Sequence, residues 1–132
     1  MMERTFWRLG GIFAFVAVAA GAFGAHALRG RLPAELLAVF ETGARYQMYH
    51  ALALLAVALA AARTQARPEA LRAAGWLFTT GILVFSGSLY LLALTGVRAW
   101  GAVTPIGGLC FLAGWIALAM GATSLVSAPR GS

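Results

Sequence analysis

Long stretches without a charged side chain are the feature that most limits how this chain can fold. Residues 9–28 contain no Asp, Glu, Lys or Arg. At about 1.5 Å per residue, a helix of that length crosses a hydrocarbon core of about 30 Å, and it exceeds the roughly 7 to 15 residue core of a cleaved signal peptide. Three further apolar runs lie at 46–62, 73–97 and 105–127. The sequence therefore predicts an all-α integral membrane protein, a four-transmembrane-helix bundle forming one domain.

The composition excludes several other classes of protein. Hydrophobic residues make up 61% of the 132-residue chain, which is too apolar for a water-soluble globule. The net charge of +6 comes from ten basic residues, all of them Arg, against four acidic ones. These arginines lie at the ends of the apolar runs rather than in one stripe, which favours contact with membrane lipids and argues against a nucleic-acid partner.

The arginines also indicate an orientation. Cytoplasmic loops of membrane proteins carry an excess of Arg and Lys. Four spans place both termini on one side, together with Arg4, Arg8, Arg63, Arg67, Arg72 and Arg130, whereas Arg29, Arg31, Arg45 and Arg98 lie on the other. This distribution predicts a multi-pass protein of the inner (plasma) membrane with both termini in the cytoplasm.

A short amphipathic segment precedes the second apolar run. Pro33 suits the first turn of a helix, and Glu35 suits the positive end of the helix dipole. The segment 33–45 is therefore predicted to be an interfacial helix, with the chain turning into the membrane near Gly43.

Small residues recur at four-residue spacing in the first and last spans, where they allow helix backbones to approach closely. Packing within the chain and a homo-oligomer interface are both compatible with this pattern, which comprises Ala17, Gly21 and Ala25 and also Ala113, Ala117 and Gly121.

The segment 40–50, with the sequence FETGARYQMYH, is the richest in polar residues. Glu41 and Arg45 have the i,i+4 spacing of a helical ion pair. Gln47, Tyr49 and His50 then carry polar groups into the second span. Such residues tie helices together by hydrogen bonds, or they mark a ligand or proton site, because ionisable groups are costly inside a membrane.

Two histidines and a group of hydroxyls are further candidates. His26 and His50 are predicted to lie at a similar depth, where facing imidazoles could hold a haem or a metal ion, although no carboxylate or thiol motif completes a metal site. Ser86, Ser88 and Tyr90 lie within the third span, where hydroxyls usually bond helices to one another. Cys110 is predicted to be a small buried hydrophobe.

Four motifs resemble those of a known family. These are GAFGAH at 21–26, FETGARYQMYH at 40–50, FSGSLY at 85–90 and TPIGG at 104–108. In this order they resemble the bacterial domain-of-unknown-function 423 proteins, also called UPF-0382 membrane proteins, which are similar to animal transmembrane protein 256. The resemblance covers essentially the whole chain. It implies a small multi-span membrane protein and no particular activity, substrate or cofactor.

We therefore predict a polar pocket near the outer leaflet in a membrane protein that is not an enzyme. Its expected occupant is a lipid headgroup, a small ligand or a partner helix. The alternatives are a small oligomeric transporter or channel, and a haem-binding or metal-binding redox protein using His26 and His50. The predicted pocket residues are His26, Glu41, Arg45, Gln47, Tyr49, His50, Ser86, Ser88 and Tyr90.

Overall fold

A computed structural model describes residues 1–127, and nearly all of them are helical. The five α-helices are α1 (Met2–Phe23), α2 (Ala34–Arg63), α3 (Pro68–Gly81), α4 (Gly87–Thr95) and α5 (Thr104–Ser127). A π-helical turn, Gly24–Leu28, extends α1, and a second one, Ile82–Ser86, joins α3 to α4 into one continuous rod. A 3₁₀ turn, Arg98–Ala102, precedes α5.

The chain reverses direction at the end of each long helix. Glycine makes two of these reversals possible, because Gly30 and Gly96 have φ values of +85° and +70°, which side chains with a Cβ rarely adopt. The third reversal, between α2 and α3, ends at Pro68, which lies in the first turn of α3 where its missing N–H costs nothing. The result is an up-down-up-down arrangement of four rods.

Within this arrangement α2 is the central rod. It packs along α1 on one side and against the α3–α4 rod on another, and it meets α5 at a smaller interface. Ala51, Leu54 and Val57 on α2 are fully buried. The last helix, α5, packs mainly on α3. The core therefore runs along α2 and the α3–α4 rod, and α1 and α5 flank it.

Three helices of the described chain are long and apolar enough to cross a membrane. They are Met2–Leu28, Pro68–Thr95 and Arg98–Val126. The fourth predicted span lies in α2, which has 30 residues but carries Gln47 and His50 in its middle. These side chains lower its mean hydropathy, and they are buried inside the bundle rather than exposed to lipid.

One expectation for α2 was wrong. The predicted interfacial helix at 33–45 and the predicted second span at 46–62 form one uninterrupted helix, with no turn at Gly43. A single glycine inside a helix costs only about 1 kcal/mol, which packing readily offsets. Gly43 instead provides room for a neighbour, because a Cβ at this position would lie 3.0 Å from the ring of Tyr90.

The interface between the α3–α4 rod and α5 is built on glycines spaced by seven residues. Gly107, Gly114 and Gly121 leave space that Phe85, Phe78 and Leu71 fill, and these three large residues are also spaced by seven. We call these six residues the glycine seam. A seven-residue period keeps one helix face against its partner over several turns. Of the predicted small-residue pattern in α5, Gly121 belongs to this seam, whereas Ala113 is exposed, so packing of that face against another copy of the chain stays a prediction.

Candidate ligand-binding site

Gln47 connects three helices. Its side chain is 3% exposed; its Nε2 donates to the carbonyl oxygen of Phe13 on α1 at 2.9 Å, and its Oε1 accepts from the hydroxyl of Tyr90 on α4 at 2.7 Å. Both the nitrogen and the oxygen of the amide are therefore hydrogen-bonded inside the protein. Gln47 and Tyr90 were both predicted as pocket residues, and this hydrogen bond brings them into direct contact.

The serines of the third span also bond within the protein. The hydroxyl of Ser86 is fully buried and donates to the carbonyl oxygen of Gly43 at 2.7 Å. The hydroxyl of Ser88 donates to the carbonyl oxygen of Phe85 at 2.9 Å. It also lies 2.6 Å from the hydroxyl of Thr104, at the start of α5. The expectation that these hydroxyls bond helices to one another is confirmed for both serines.

His50 is buried with both ring nitrogens engaged. Its Nδ1 lies 2.7 Å from the carbonyl oxygen of Tyr46, and its Nε2 lies 3.1 Å from the indole nitrogen of Trp115. A carbonyl only accepts and an indole N–H only donates, so Nδ1 carries the hydrogen and Nε2 accepts. The imidazole also stacks on Phe111 with the ring centroids 3.5 Å apart. The imidazole is therefore in the neutral form with its hydrogen on Nδ1, and it is held in place by contacts from α2 and α5.

The remaining pocket candidates lie apart from this network. His26 is exposed, whereas His50 lies at the level of residues 10–13 of α1, as the bond from Gln47 to Phe13 shows. The expectation that the two histidines share a depth was wrong, because about 13 residues of helix, roughly 20 Å, separate the two levels. Both nitrogens of His50 are moreover already occupied.

Glu41 and Arg45 do not form the expected ion pair. Among residues 1–127, the one ion pair joins the N-terminal ammonium to Glu3 at 2.9 Å. Arg45 and Tyr49 are exposed, and Glu41 is partly exposed. Because some of the nine predicted pocket residues are buried in the network and others are exposed, the nine do not line a single cavity.

An open groove between α2 and α5 brings together a different set of residues. It has a volume of about 740 Å³, a size suited to a small organic molecule. His50 lies at its base, and none of its lining residues carries a formal charge. The other lining residues are Tyr46, Tyr49, Phe85, Pro105, Gly108, Leu109, Phe111, Leu112 and Trp115.

Sequence reasoning missed two aromatic α5 residues of this groove. Neither Trp115 nor Phe111 is among the predicted pocket residues. They lie one helical turn apart, so they share a face of α5, and this spacing with an aromatic residue at each position is the signal that could have identified them. Their partner on α2 is 65 residues away from Trp115 along the chain, a pairing that periodicity cannot reveal.

The described residues offer no ready metal centre. Within residues 1–127, no group of three or more His, Cys, Asp or Glu side chains lies close enough together to hold a metal ion. The thiol of Cys110, on α5, is partly buried rather than fully buried as predicted. In addition, every buried side-chain nitrogen and oxygen of the described chain has a hydrogen-bond partner.

Long apolar helices, a core of small and aromatic residues and polar groups satisfied between helices define a small helical membrane protein. The family model described as "Protein of unknown function (DUF423)" matches residues 20–108. The chain therefore belongs to this family, as its motifs indicated.

Curated relatives extend the match to most of the chain. A UPF0382 membrane protein of Staphylococcus saprophyticus is 48% identical over 118 residues, which is 89% of this chain and 96% of the relative. The UPF0382 membrane protein YwdK of Bacillus subtilis is 45% identical over 119 residues, 90% of this chain and 96% of the relative. No solved structure matches the chain.

Proposed function

We propose that the chain crosses the plasma membrane four times, with both termini in the cytoplasm. The 30 residues of α2 have a length of about 45 Å, enough to cross the bilayer between two antiparallel neighbours. The N-terminal Arg4 and Arg8 lie at the same end of the bundle as Arg63, Arg67 and Arg72, which supports a cytoplasmic location for that end.

We infer further that the protein is not an enzyme and binds a neutral amphiphile with a planar ring system in the groove between α2 and α5. The observation that carries this proposal is the imidazole of His50 in an open aromatic groove. This ring is stacked on Phe111 and forms a hydrogen bond at each of its two nitrogens. Three of the lining aromatic side chains, Tyr46, Tyr49 and Trp115, are 38–49% exposed, so part of each ring is left uncovered by the protein.

The chemistry of the lining selects the class of ligand. Phenol, benzene and indole rings prefer offset or edge-on contact with other π-systems, which a planar ligand supplies. The absence of charged groups in the lining disfavours an ionic ligand. Tyr46 and Tyr49 are 38% and 49% exposed at the edge of the groove, so their hydroxyls are available to a polar substituent of the ligand.

The other predicted functions receive less support. Gln47, Ser86, Ser88 and Tyr90 have their hydrogen-bonding groups occupied by the protein itself, which leaves little for a lipid headgroup at that cluster. A transport path through one bundle would have to pass Leu54, Val57 and Phe78, which are fully buried. A haem or metal site using His50 would require it to give up a hydrogen bond.

The test is to fill the groove without disturbing the backbone. A Cβ at Gly108 would meet its nearest neighbours, atoms of the Phe85 ring, at 3.9–4.0 Å, which is ordinary contact. The variant Gly108→Phe therefore places a ring in the groove with little strain. Gly11→Phe is the matched control, because a Cβ at Gly11, on another helix, meets nothing within 4 Å.

The protein would be released gently from its native membranes and analysed by native mass spectrometry. We expect a discrete added mass of a small organic molecule on the parent and on Gly11→Phe, and its loss from Gly108→Phe. A parent without any added mass, or an added mass that persists in Gly108→Phe, would overturn the proposal. The mass itself identifies the class of ligand.

A further inference from the structure

A second cavity, separate from the aromatic groove, lies at the start of α1, which is the cytoplasmic end in the orientation proposed above; the inference rests on that proposal. The cavity has a volume of about 290 Å³ and lies between the start of α1 and the end of α2. Arg4, Trp7 and Arg8 line it from α1, and Ala58, Leu59 and Ala62 line it from α2. Basic and aromatic side chains thus stand on one wall of the cavity, and apolar side chains form the other.

The wall of this cavity is almost entirely apolar, and the residues that border it on the α1 side carry a net positive charge. Arg4 and Arg8 are one helical turn apart and exposed, and within residues 1–127 neither guanidinium forms an ion pair. Glu3 also lines the cavity, but its carboxylate bonds to the N-terminal ammonium at 2.9 Å, so that its charge is balanced. Two arginines are therefore left to face an anion.

We propose that this cavity binds an anionic phospholipid of the cytoplasmic leaflet, with the phosphate between Arg4 and Arg8 and an acyl chain along Leu59. Guanidinium groups bind phosphate oxygens in a fork geometry, and the indole of Trp7, which is 57% exposed, suits the level of the headgroups. The small side chains of Ala58 and Ala62 line the α2 side of the cavity, where they leave room for the acyl chain. Anionic lipids are concentrated in this leaflet.

The experiment uses the full chain in nanodiscs containing equal amounts of phosphatidylglycerol and phosphatidylcholine. Native mass spectrometry measures how many of each lipid remain bound. The parent should retain phosphatidylglycerol in preference to phosphatidylcholine. In Arg4→Gln/Arg8→Gln this preference should fall by about tenfold or more, because each arginine near the surface contributes a several-fold increase in affinity for anionic lipid.

Two further variants separate a built site from diffuse attraction. Arg29→Gln/Arg31→Gln removes the same charge from the opposite end of the bundle and should leave the preference unchanged. Leu59→Trp keeps both arginines and fills the cavity, so it should also lose the preference. An unchanged preference in either Arg4→Gln/Arg8→Gln or Leu59→Trp would overturn the proposal.

A conservative variant and a measurement of helix content test whether loss of the fold could explain a loss of lipid preference. Arg4→Lys/Arg8→Lys keeps both charges and should retain most of the preference, with the helix content of every variant checked by circular dichroism. If this variant loses as much preference as Arg4→Gln/Arg8→Gln while its helix content is normal, positive charge at these positions does not hold the lipid, and the proposal is overturned. The groove variant Gly108→Phe leaves Arg4 and Arg8 untouched, so the two proposals fail independently.

Discussion

The imidazole of His50 lies flat on the ring of Phe111, with the ring centroids 3.5 Å apart and the planes inclined by only 5°. One turn further along α5, Trp115 donates its indole N–H to the same imidazole. These two contacts, both from α5, fix the orientation of a ring that belongs to α2. They make His50 a polar link between the central helix and the last one.

Removal of the indole donor should therefore destabilise the protein. Trp115→Phe leaves Nε2 of the buried His50 without a partner, and a buried polar group left unpaired costs about 1–3 kcal/mol. The free energy of unfolding can be measured by titrating the protein in mixed micelles with SDS while circular dichroism is recorded. Trp100→Phe, in the exposed 3₁₀ turn, is the control and should change stability by less than about 0.5 kcal/mol. Equal effects of the two variants would contradict the assigned bond.

The bond between Gln47 and Tyr90 should appear as an energetic coupling. Gln47→Leu, Tyr90→Phe and the double variant form a thermodynamic cycle, and hydrogen bonds between membrane helices give coupling energies of about 0.6 kcal/mol, with a maximum near 1.7 kcal/mol. We expect the two single losses to sum to more than the loss in the double variant. Strict additivity in the same unfolding titration would show that the two side chains do not interact.

The glycine seam predicts that the effect of a Gly→Ala substitution on the free energy of unfolding depends strongly on its position. Gly114→Ala would place a Cβ 2.7 Å from the Phe78 ring, and Gly107→Ala would press on the backbone of Phe85. Overpacking of this kind costs about 1–3 kcal/mol, and the cost should be larger at Gly107 because a backbone yields less than a ring. Gly11→Ala, where nothing is near, should instead gain about 0.5–1 kcal/mol. A similar change in unfolding free energy at all three glycines would disprove the close approach.

The proposed orientation can be tested with single cysteines. In a Cys110→Ala background, Arg31→Cys lies in the turn after α1, and Gln65→Cys lies in the turn after α2. A membrane-impermeant maleimide applied to intact cells should label position 31 and should reach position 65 only after permeabilisation. Labelling of both positions in intact cells would contradict a membrane-spanning α2, and the reverse pattern would place the termini outside.

Much of the architecture could be predicted because it depends on local chemistry. Pro68 starts α3 and Thr104 starts α5, and proline in a first turn and threonine at a helix start are both favoured by the local backbone. The helices are nevertheless longer than the predicted spans. α1 begins at Met2 rather than near residue 9, because hydropathy detects only the apolar part of a helix and not its polar first turns.

The candidate site was less predictable because it depends on which helix faces which. Sequence reasoning identified Gln47 and His50 as polar residues inside a span, but their partners are the Phe13 carbonyl and Trp115 on other helices. The spacing of residues on one helix gives the faces of that helix and says little about the neighbour. The glycine seam is an exception, because matching seven-residue intervals occur in both partners and are visible in the sequence.

That seam also determines which changes in length the protein can accept. One residue inserted between Gly107 and Gly114 turns everything that follows by about 100° around the axis of α5. Gly114 and Gly121 would then leave Phe78 and Leu71, and larger side chains would take their places. Two complete turns, close to seven residues, would return a residue to nearly the same face. Single insertions and deletions in this part of α5 are therefore expected to be far more damaging than most substitutions.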